Sequence, residues 1–350
     1  MVKRIAYGGS AKMVLCECLS VPKSSANKVL SYLLKQDVVR KDLKIRYEMN
    51  HVLIPVKSPI KLDGTLAERH DFQVRDLTVS PVERVNRKLE EMGIEGRFPD
   101  KFIMFGDSLF IKEKRFQRLP LKVFGMIAKE FCANSIYLDR GIGESPIREP
   151  DVKLLWGRKG GVTHEENGIF YSFDPTKVMF SPGNVNSRIW ESKGHFNEKT
   201  VVDMFAGIGY FTLQVAKGSP RARIFACELN PNSFDFLVQN IRKNRMEDRI
   251  NPLPGDCRSS TYGLRADYIL MGHFDSPQFL ATALRMSHKG TMINMHIICD
   301  TATINSHWIG IQRRARELGY LIDILDQKVV KSYGPHLWHV SSRFIVTAAL

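Results

Sequence analysis

The sequence predicts an α/β protein: a parallel sheet with crossover helices in its second half, preceded by a smaller mixed α/β N-terminal region. Three observations carry that expectation. Beyond about residue 161, short apolar runs alternate with amphipathic stretches at helical spacing, the texture of strand–helix–strand units. One of those runs, residues 200–205 (TVVDMF), leads into the glycine-containing turn AGIGYF. Finally, 350 residues at 43% hydrophobic and 25% charged suffice for two domains with real cores, which excludes a chain disordered throughout.

In order along the chain, VLIPV (52–56) is a short strand of the mixed region. Ser80-Pro81-Val82-Glu83 is a capping box with proline at the first helical position. Val82, Val85, Leu89 and Met92 follow at helical spacing until Gly93 ends the helix. KFIMF (101–105) and SLFI (108–111) are strand-like runs about a Gly-Asp turn. The basic run Lys112, Lys114, Arg115, Arg118 and Lys122 reads as a solvated loop and helix start before it reads as a nucleic-acid contact. Residues 139–161, rich in Gly, Pro and charge, read as a connector. The expected domains are therefore 1–100, mixed α/β with no assigned role; 101–160, a small α/β domain and connector; and 161–350, the sheet.

Within that sheet, residues 200–205 are the first strand, and the helix after the turn carries Phe211, Leu213, Val215 and Ala216. RIFACE (223–228) is the next strand. Asn230 caps a helix with Pro231 in its first turn and Phe234, Leu237, Val238 and Ile241 on its apolar face. Residues 267–271, 291–296, 321–325 and 344–348 complete the sheet.

Composition narrows the function. No uncharged apolar stretch approaches the roughly 18 residues needed to span a bilayer, and no apolar segment follows the basic N-terminus as in a secretory signal. Six cysteines, none in a CxxC, argue against a disulfide scaffold or zinc ribbon and fit a reducing, cytoplasmic setting. Lys plus Arg outnumber Asp plus Glu by 51 to 37, a net charge of +14 that favours polyanionic partners without separating RNA from DNA.

Three successive strands end in acidic groups around one glycine turn. Asp203 precedes Ala206-Gly207-Ile208-Gly209, Glu228 ends the next strand, and Asp256 follows the strand after that. Small residues at the turn let the backbone approach a nucleotide closely. A carboxylate at Glu228 can accept both ribose hydroxyls, and one at Asp256 can take an adenine amino group. A dinucleotide fold would share Glu228, yet the third glycine of GxGxxG is missing and Asp203 would repel a pyrophosphate. A sulfonium nucleoside suits an acidic pocket, so S-adenosylmethionine is favoured over NAD.

Residues 100–350 also carry IMFGDSLFI (103–111), IREP (147–150), HEENGIFYSFDPTKVMFSPGNVNSR (164–188), DMFAGIGYFT (203–212), CELNPNSFDFLVQNIRKN (227–244), GDCR (255–258), DYILMGHF (267–274) and YGPHLWHV (333–340). In these blocks the chain resembles the tRNA wybutosine-synthesizing protein 2 family, relatives of the tRNA (guanine-N1)-methyltransferases. The first hundred residues show no usable landmark. The resemblance implies a Rossmann-like class I methyltransferase sheet that uses S-adenosylmethionine. It implies a tRNA partner rather than DNA or membrane: phenylalanine tRNA carrying 4-demethylwyosine immediately 3′ of the anticodon. The implied reaction moves the 3-amino-3-carboxypropyl group onto C7 and releases methylthioadenosine. The N1-methyltransferases carry Asn-Leu-Pro after the fourth strand, where this chain has Met271-Gly272-His273-Phe274.

The resemblance also assigns residues. Ser181 and Arg188 match positions that grip the methionine moiety, Arg188 as a fork for its carboxylate; Lys177 is a second candidate for that carboxylate or for an RNA phosphate. Phe180 and Phe205 line the adenosine pocket or belong to the core. The turn (Asp203, Ala206, Gly207, Gly209), the Glu228-Leu229-Asn230 and Asp256-Cys257 segments and Gly272 complete the expected cofactor set. His273, at the carboxyl end of a strand, is a candidate proton acceptor or base-stacking residue, with a satisfied structural histidine as the preferred reading. His336 and His339 flank Trp338 but lack a third ligand, so no metal is expected. Two other functions compete: a tRNA guanine-N1 methyltransferase on the same scaffold, and a catalytically silent tRNA-binding protein.

Overall fold

The computed structural model describes residues 13–74, 79–143, 150–180, 182–300 and 302–350. The chain divides into two compact units, Met1–Arg84 and Val85–Leu350. In the first unit β1 (Met13–Pro22), α1 (Ala26–Lys35), β2 (Arg46–Tyr47), β3 (His51–Pro55) and β4 (Leu66–Gln73) form an antiparallel sheet in the order β2-β3-β1-β4. Strand alternation divides its core in two. Leu19, Val21, Val52 and Ile54 pack with Leu33 of α1, while Cys16, Cys18, Leu53 and Phe72 form the other cluster.

Helix α2 (Pro81–Glu91) spans the division and starts as its sequence dictates. The Glu83 amide donates to Ser80 Oγ at 3.1 Å, and the Ser80 amide donates to Glu83 Oε2 at 2.9 Å, a reciprocal capping box.

The second unit opens with a four-stranded sheet of β5 (Phe102–Phe105), β6 (Ser108–Ile111), β7 (Ser135–Ile142) and β8 (Pro150–Gly157), with α3 (Leu121–Phe131) crossing between the parallel pair β6 and β7. Much of the stretch read as a connector is therefore strand: residues 139–142 end β7, and 150–157 are β8, paired antiparallel to it. Gly141 and Gly157, both at positive φ, made the stretch look irregular although they sit inside strands. A hairpin of β9 (Val162–Glu166) and β10 (Ile169–Phe173) turns at Asn167-Gly168, both at positive φ as a two-residue hairpin loop requires. Helix α4 (Val185–Glu191) leads into the main sheet.

That sheet is built from β11 (Thr200–Asp203), α5 (Thr212–Gly218), β12 (Arg223–Glu228), α6 (Pro231–Lys243), β13 (Ile250–Pro254), α7 (Cys257–Ser260), β14 (Tyr268–Met271), α8 (Leu280–Met286), β15 (Met292–Asp300), α9 (Ile304–Glu317), β16 (Tyr320–Gly334) and β17 (Leu337–Ala349). The strand order is β13-β12-β11-β14-β15-β17-β16. Strands β11 to β15 pair in parallel; β17 and β16 do not. A short turn with His336 at φ +61 returns the chain directly, and without a crossover helix the pair must be antiparallel.

Central strands are apolar on both sides because both faces are covered. Ile269 and Leu270 point to opposite clusters and are fully buried, each contributing about 1.5–3 kcal/mol. Strand order reverses between β11 and β14, which opens a crevice at their carboxyl ends. Strand β15 pairs with β14 only over Met292–Met295; residues 296–300 continue beside β17 and form a wall past the sheet edge.

Candidate active site

The crevice is a cleft of about 570 Å³ lined from five directions: residues within 178–188 leading into α4, the β11–α5 turn, the ends of β12 and β13, the segment after β14, and the outer end of β16. Asp203 ends β11 fully buried, accepting the Phe205 amide at 3.2 Å and the Thr212 hydroxyl at 2.7 Å. It therefore shapes the turn rather than facing a ligand. Burial pushes its carboxyl up to about 6. The folded chain then holds a proton that the unfolded chain has lost, so the stability this group supplies is full at low pH and is lost as pH rises through 6. The stability gap between native protein and Asp203→Asn should accordingly shrink from pH 4 to pH 6. Denaturant midpoints at the two pH values measure it, and a constant gap would contradict the assignment.

Gly207 and Gly209 stand at φ +59 and +101. A Cβ at Gly207 would lie 2.4 Å from the Tyr210 ring, and one at Gly209 would lie 2.9 Å from Leu213, so the turn needs both glycines. Glu228 closes the turn from β12. Its Oε2 accepts the Gly207 amide at 2.7 Å and its Oε1 the Asn230 amide at 2.8 Å. Burial raises its carboxyl above the usual range, while those amides pull it back. Asn230 then caps α6 through the Asn232 amide.

Asp256 caps α7 by accepting the Arg258 amide at 2.8 Å. Its carboxylate also pairs with the Arg258 guanidinium, which holds it below the usual carboxylate range. The adenine contact expected of Asp256 thus competes with an ion pair that the sequence reading did not foresee. Arg258 lies 5.5 Å over the Phe279 ring, and Phe279 meets Phe205 edge-on at 5.0 Å.

Of the expected residues, Arg188, Phe205, Gly207, Glu228, Leu229, Asn230, Asp256, Cys257, Gly272 and His273 line the cleft. Asp203, Ala206 and Phe180 are buried in the body of the unit. Phe180 packs among Phe105, Phe173 and Tyr171, so it is core and not pocket. Lys177 is exposed. Ser181 and residues 147–149 of the IREP block lie outside the described residues.

One role needs correction. Arg188 is 1% exposed and presents its Nε–Nη2 edge to Glu166, at 2.6 and 2.5 Å. The fork expected for a methionine carboxylate is therefore taken by the Glu166 carboxylate, which the β9–β10 hairpin delivers from 22 residues upstream. His273 Nδ1 accepts the Asp275 amide at 3.2 Å and stands 3.6 Å from the Asp275 carboxylate, and the ring lies tilted 5.5 Å from Phe205, contacts that hold it at the cleft wall.

Asn184, Tyr210, Gln278, Lys331 and Tyr333 also line the cleft and escaped the sequence reading. Asn184 and Tyr210 lie within the family-like stretches 164–188 and 203–212 without a distinguishing signal of their own. Lys331 and Tyr333 arrive on a hairpin more than a hundred residues downstream. His339 is buried with Nε2 2.8 Å from His296 Nδ1, and burial holds both rings neutral, at about 4 and 3. Among the described residues no group of three His, Cys, Asp or Glu could hold a metal.

Residues 162–322 match the TRM5/TYW2 methyltransferase domain, and residues 18–62 match the tRNA methyltransferase 5 N-terminal domain. The latter supplies the landmark missing from the first hundred residues, where short antiparallel strands leave little pattern. The chain is 34% identical over 245 residues to the tRNA(Phe) (4-demethylwyosine(37)-C(7)) aminocarboxypropyltransferase of Pyrococcus horikoshii, spanning 69% of this chain and 87% of that protein. It is 26% identical over 335 residues to the tRNA (guanine(37)-N(1))-methyltransferase Trm5b of Pyrococcus abyssi, spanning 94% of this chain and 98% of that one. The crystal structure of P. horikoshii TYW2 in complex with MeSAdo superposes with a TM-score of 0.66 at 29% identity, covering 76% of this chain and 99% of that chain. The glycine turn, the Glu228 carboxylate and Gly272-His273-Phe274 all stand at one cleft, and with these matches the chain belongs to the tRNA wybutosine-synthesizing protein 2 family within the TRM5/TYW2 group.

Proposed function

We infer that the chain transfers the 3-amino-3-carboxypropyl group of S-adenosylmethionine to C7 of 4-demethylwyosine in the anticodon loop of phenylalanine tRNA, in the cytoplasm, with release of methylthioadenosine. The observation that carries this reading over methyl transfer is the segment Gly272–Phe274 at the cleft, which follows Met271. There Gly272 packs beneath Phe211, and Phe274 meets His339 edge-on at 4.9 Å. This segment itself carries neither the Asn nor the Pro of the Asn-Leu-Pro motif.

The residues fit the donor. Glu228 keeps its carboxylate oriented by two backbone amides at the cleft wall, where ribose hydroxyls can donate to it. The aromatic pair Phe205 and Phe279 offers apolar surface for the adenosine. S-adenosylmethionine, when bound, supplies a sulfonium with three activated carbons, of which the one held about 3–3.5 Å from the nucleophile is transferred. The chain's contribution is mainly position: the hydrogen-bonded turn fixes the nucleoside end, and the β16–β17 wall with Lys331 and Tyr333 bounds the space left for the amino-acid arm and the base.

One observation favours the guanine-N1 methyltransferase as second reading: the N-terminal unit matches that of tRNA methyltransferase 5 over residues 18–62. Donor labelled in its carboxyl carbon separates the two. The aminocarboxypropyl reading expects label in precursor tRNA from that donor and none from donor labelled in the methyl carbon; the reverse would establish methyl transfer.

A further inference from the structure

Beside the cleft lies a second concavity of about 360 Å³ that none of the assigned roles uses. Trp190 of α4 and Lys193 line it from one side, and Lys328 and Val329 of β16 from the other, with Asn186 and Gly183 between. The indole is pinned: the Arg343 guanidinium stacks 4.1 Å from its ring centre and is itself held by Asp326 at 3.0 Å. The Lys328 ammonium lies 5.3 Å from the same ring. Lys193 and Lys328 are exposed, and among the described residues neither forms an ion pair.

The niche adjoins the cleft through shared backbone. Gly183 and Val330 line the niche while their neighbours Asn184 and Lys331 line the cleft. A Cβ at Gly183 would fall 2.7 Å from Lys331 Nζ, so only this thickness of chain separates the two spaces.

A fixed aromatic ring bordered by two cations is the recognition surface of a nucleotide in a single-stranded segment: the ring takes the base and the cations take the phosphate. A site for free nucleotide would not need to adjoin the cleft, whereas a polynucleotide entering the cleft must pass its rim. Resting on the tRNA reading above, the geometry points to this niche as the seat of a loop nucleotide next to the one being modified, its base against Trp190 and its phosphate between Lys193 and Lys328.

The test uses the full chain with precursor phenylalanine tRNA and reads affinity by fluorescence anisotropy, with S-adenosylmethionine affinity by calorimetry alongside. Trp190→Leu should weaken tRNA binding about tenfold and Trp190→Phe should restore most of it, since stacking is what the ring supplies. The exposed double variant Lys193→Glu/Lys328→Glu should weaken tRNA about tenfold or more and flatten the salt dependence. Both sets should leave the S-adenosylmethionine dissociation constant within about twofold. Unchanged tRNA affinity in both sets, or equal loss for both ligands, would overturn the niche alone. A native chain that binds no tRNA would overturn the RNA reading with it.

Discussion

Glu228→Ala is expected to weaken S-adenosylmethionine binding by about 1 to 3 kcal/mol, measured by calorimetry. The carboxylate does two things at once. It holds the glycine turn through the Gly207 amide at 2.7 Å and the start of α6 through the Asn230 amide at 2.8 Å, and it faces the cleft as acceptor. Removing it leaves two backbone donors without that partner beside a turn already constrained by two positive-φ glycines. Glu228→Gln tests the acceptor directly, because its amide group would oppose one of those two donors. An unchanged dissociation constant in the alanine variant would reject the ribose assignment.

Glu166→Ala should cost about 3 to 5 kcal/mol of stability, because it removes the carboxylate that pairs with the buried Arg188 guanidinium. Arg188 lies 5.1 Å beneath Phe180 and 5.9 Å from Tyr210, in the interior that supports the cleft floor. A surface pair supplies the contrast. Arg221 and Glu198 are 67% and 72% exposed, so Glu198→Ala should change stability by less than about 1 kcal/mol. Denaturant unfolding of both variants reads the difference, and equal midpoints would show that the buried pair has no special weight.

Much of the site was legible because it is local. Asp203, the two glycines, Glu228 and Asn230 fall within 28 residues, and each announces itself by residue type at a strand end. The capping box at Ser80 and the cap at Asn230 were equally local, and both formed. What stayed hidden depends on which side chains the fold brings together. Glu166 claims Arg188 from 22 residues away, although the Asn167-Gly168 hairpin signal beside it could have been read. The β16–β17 wall needed the antiparallel return of a C-terminal hairpin, which alternation of apolar runs does not encode. His273 suggests a base by residue type, while its contacts with Asp275 and Phe205 are not announced by residue type.

The sulfur by-product formed from S-adenosylmethionine and tRNA bearing 4-demethylwyosine is the most direct measurement, since it records which carbon left the sulfonium. Mass identification should find methylthioadenosine in step with modified tRNA. Stoichiometric S-adenosylhomocysteine would contradict aminocarboxypropyl transfer and leave the same cleft doing methyl chemistry.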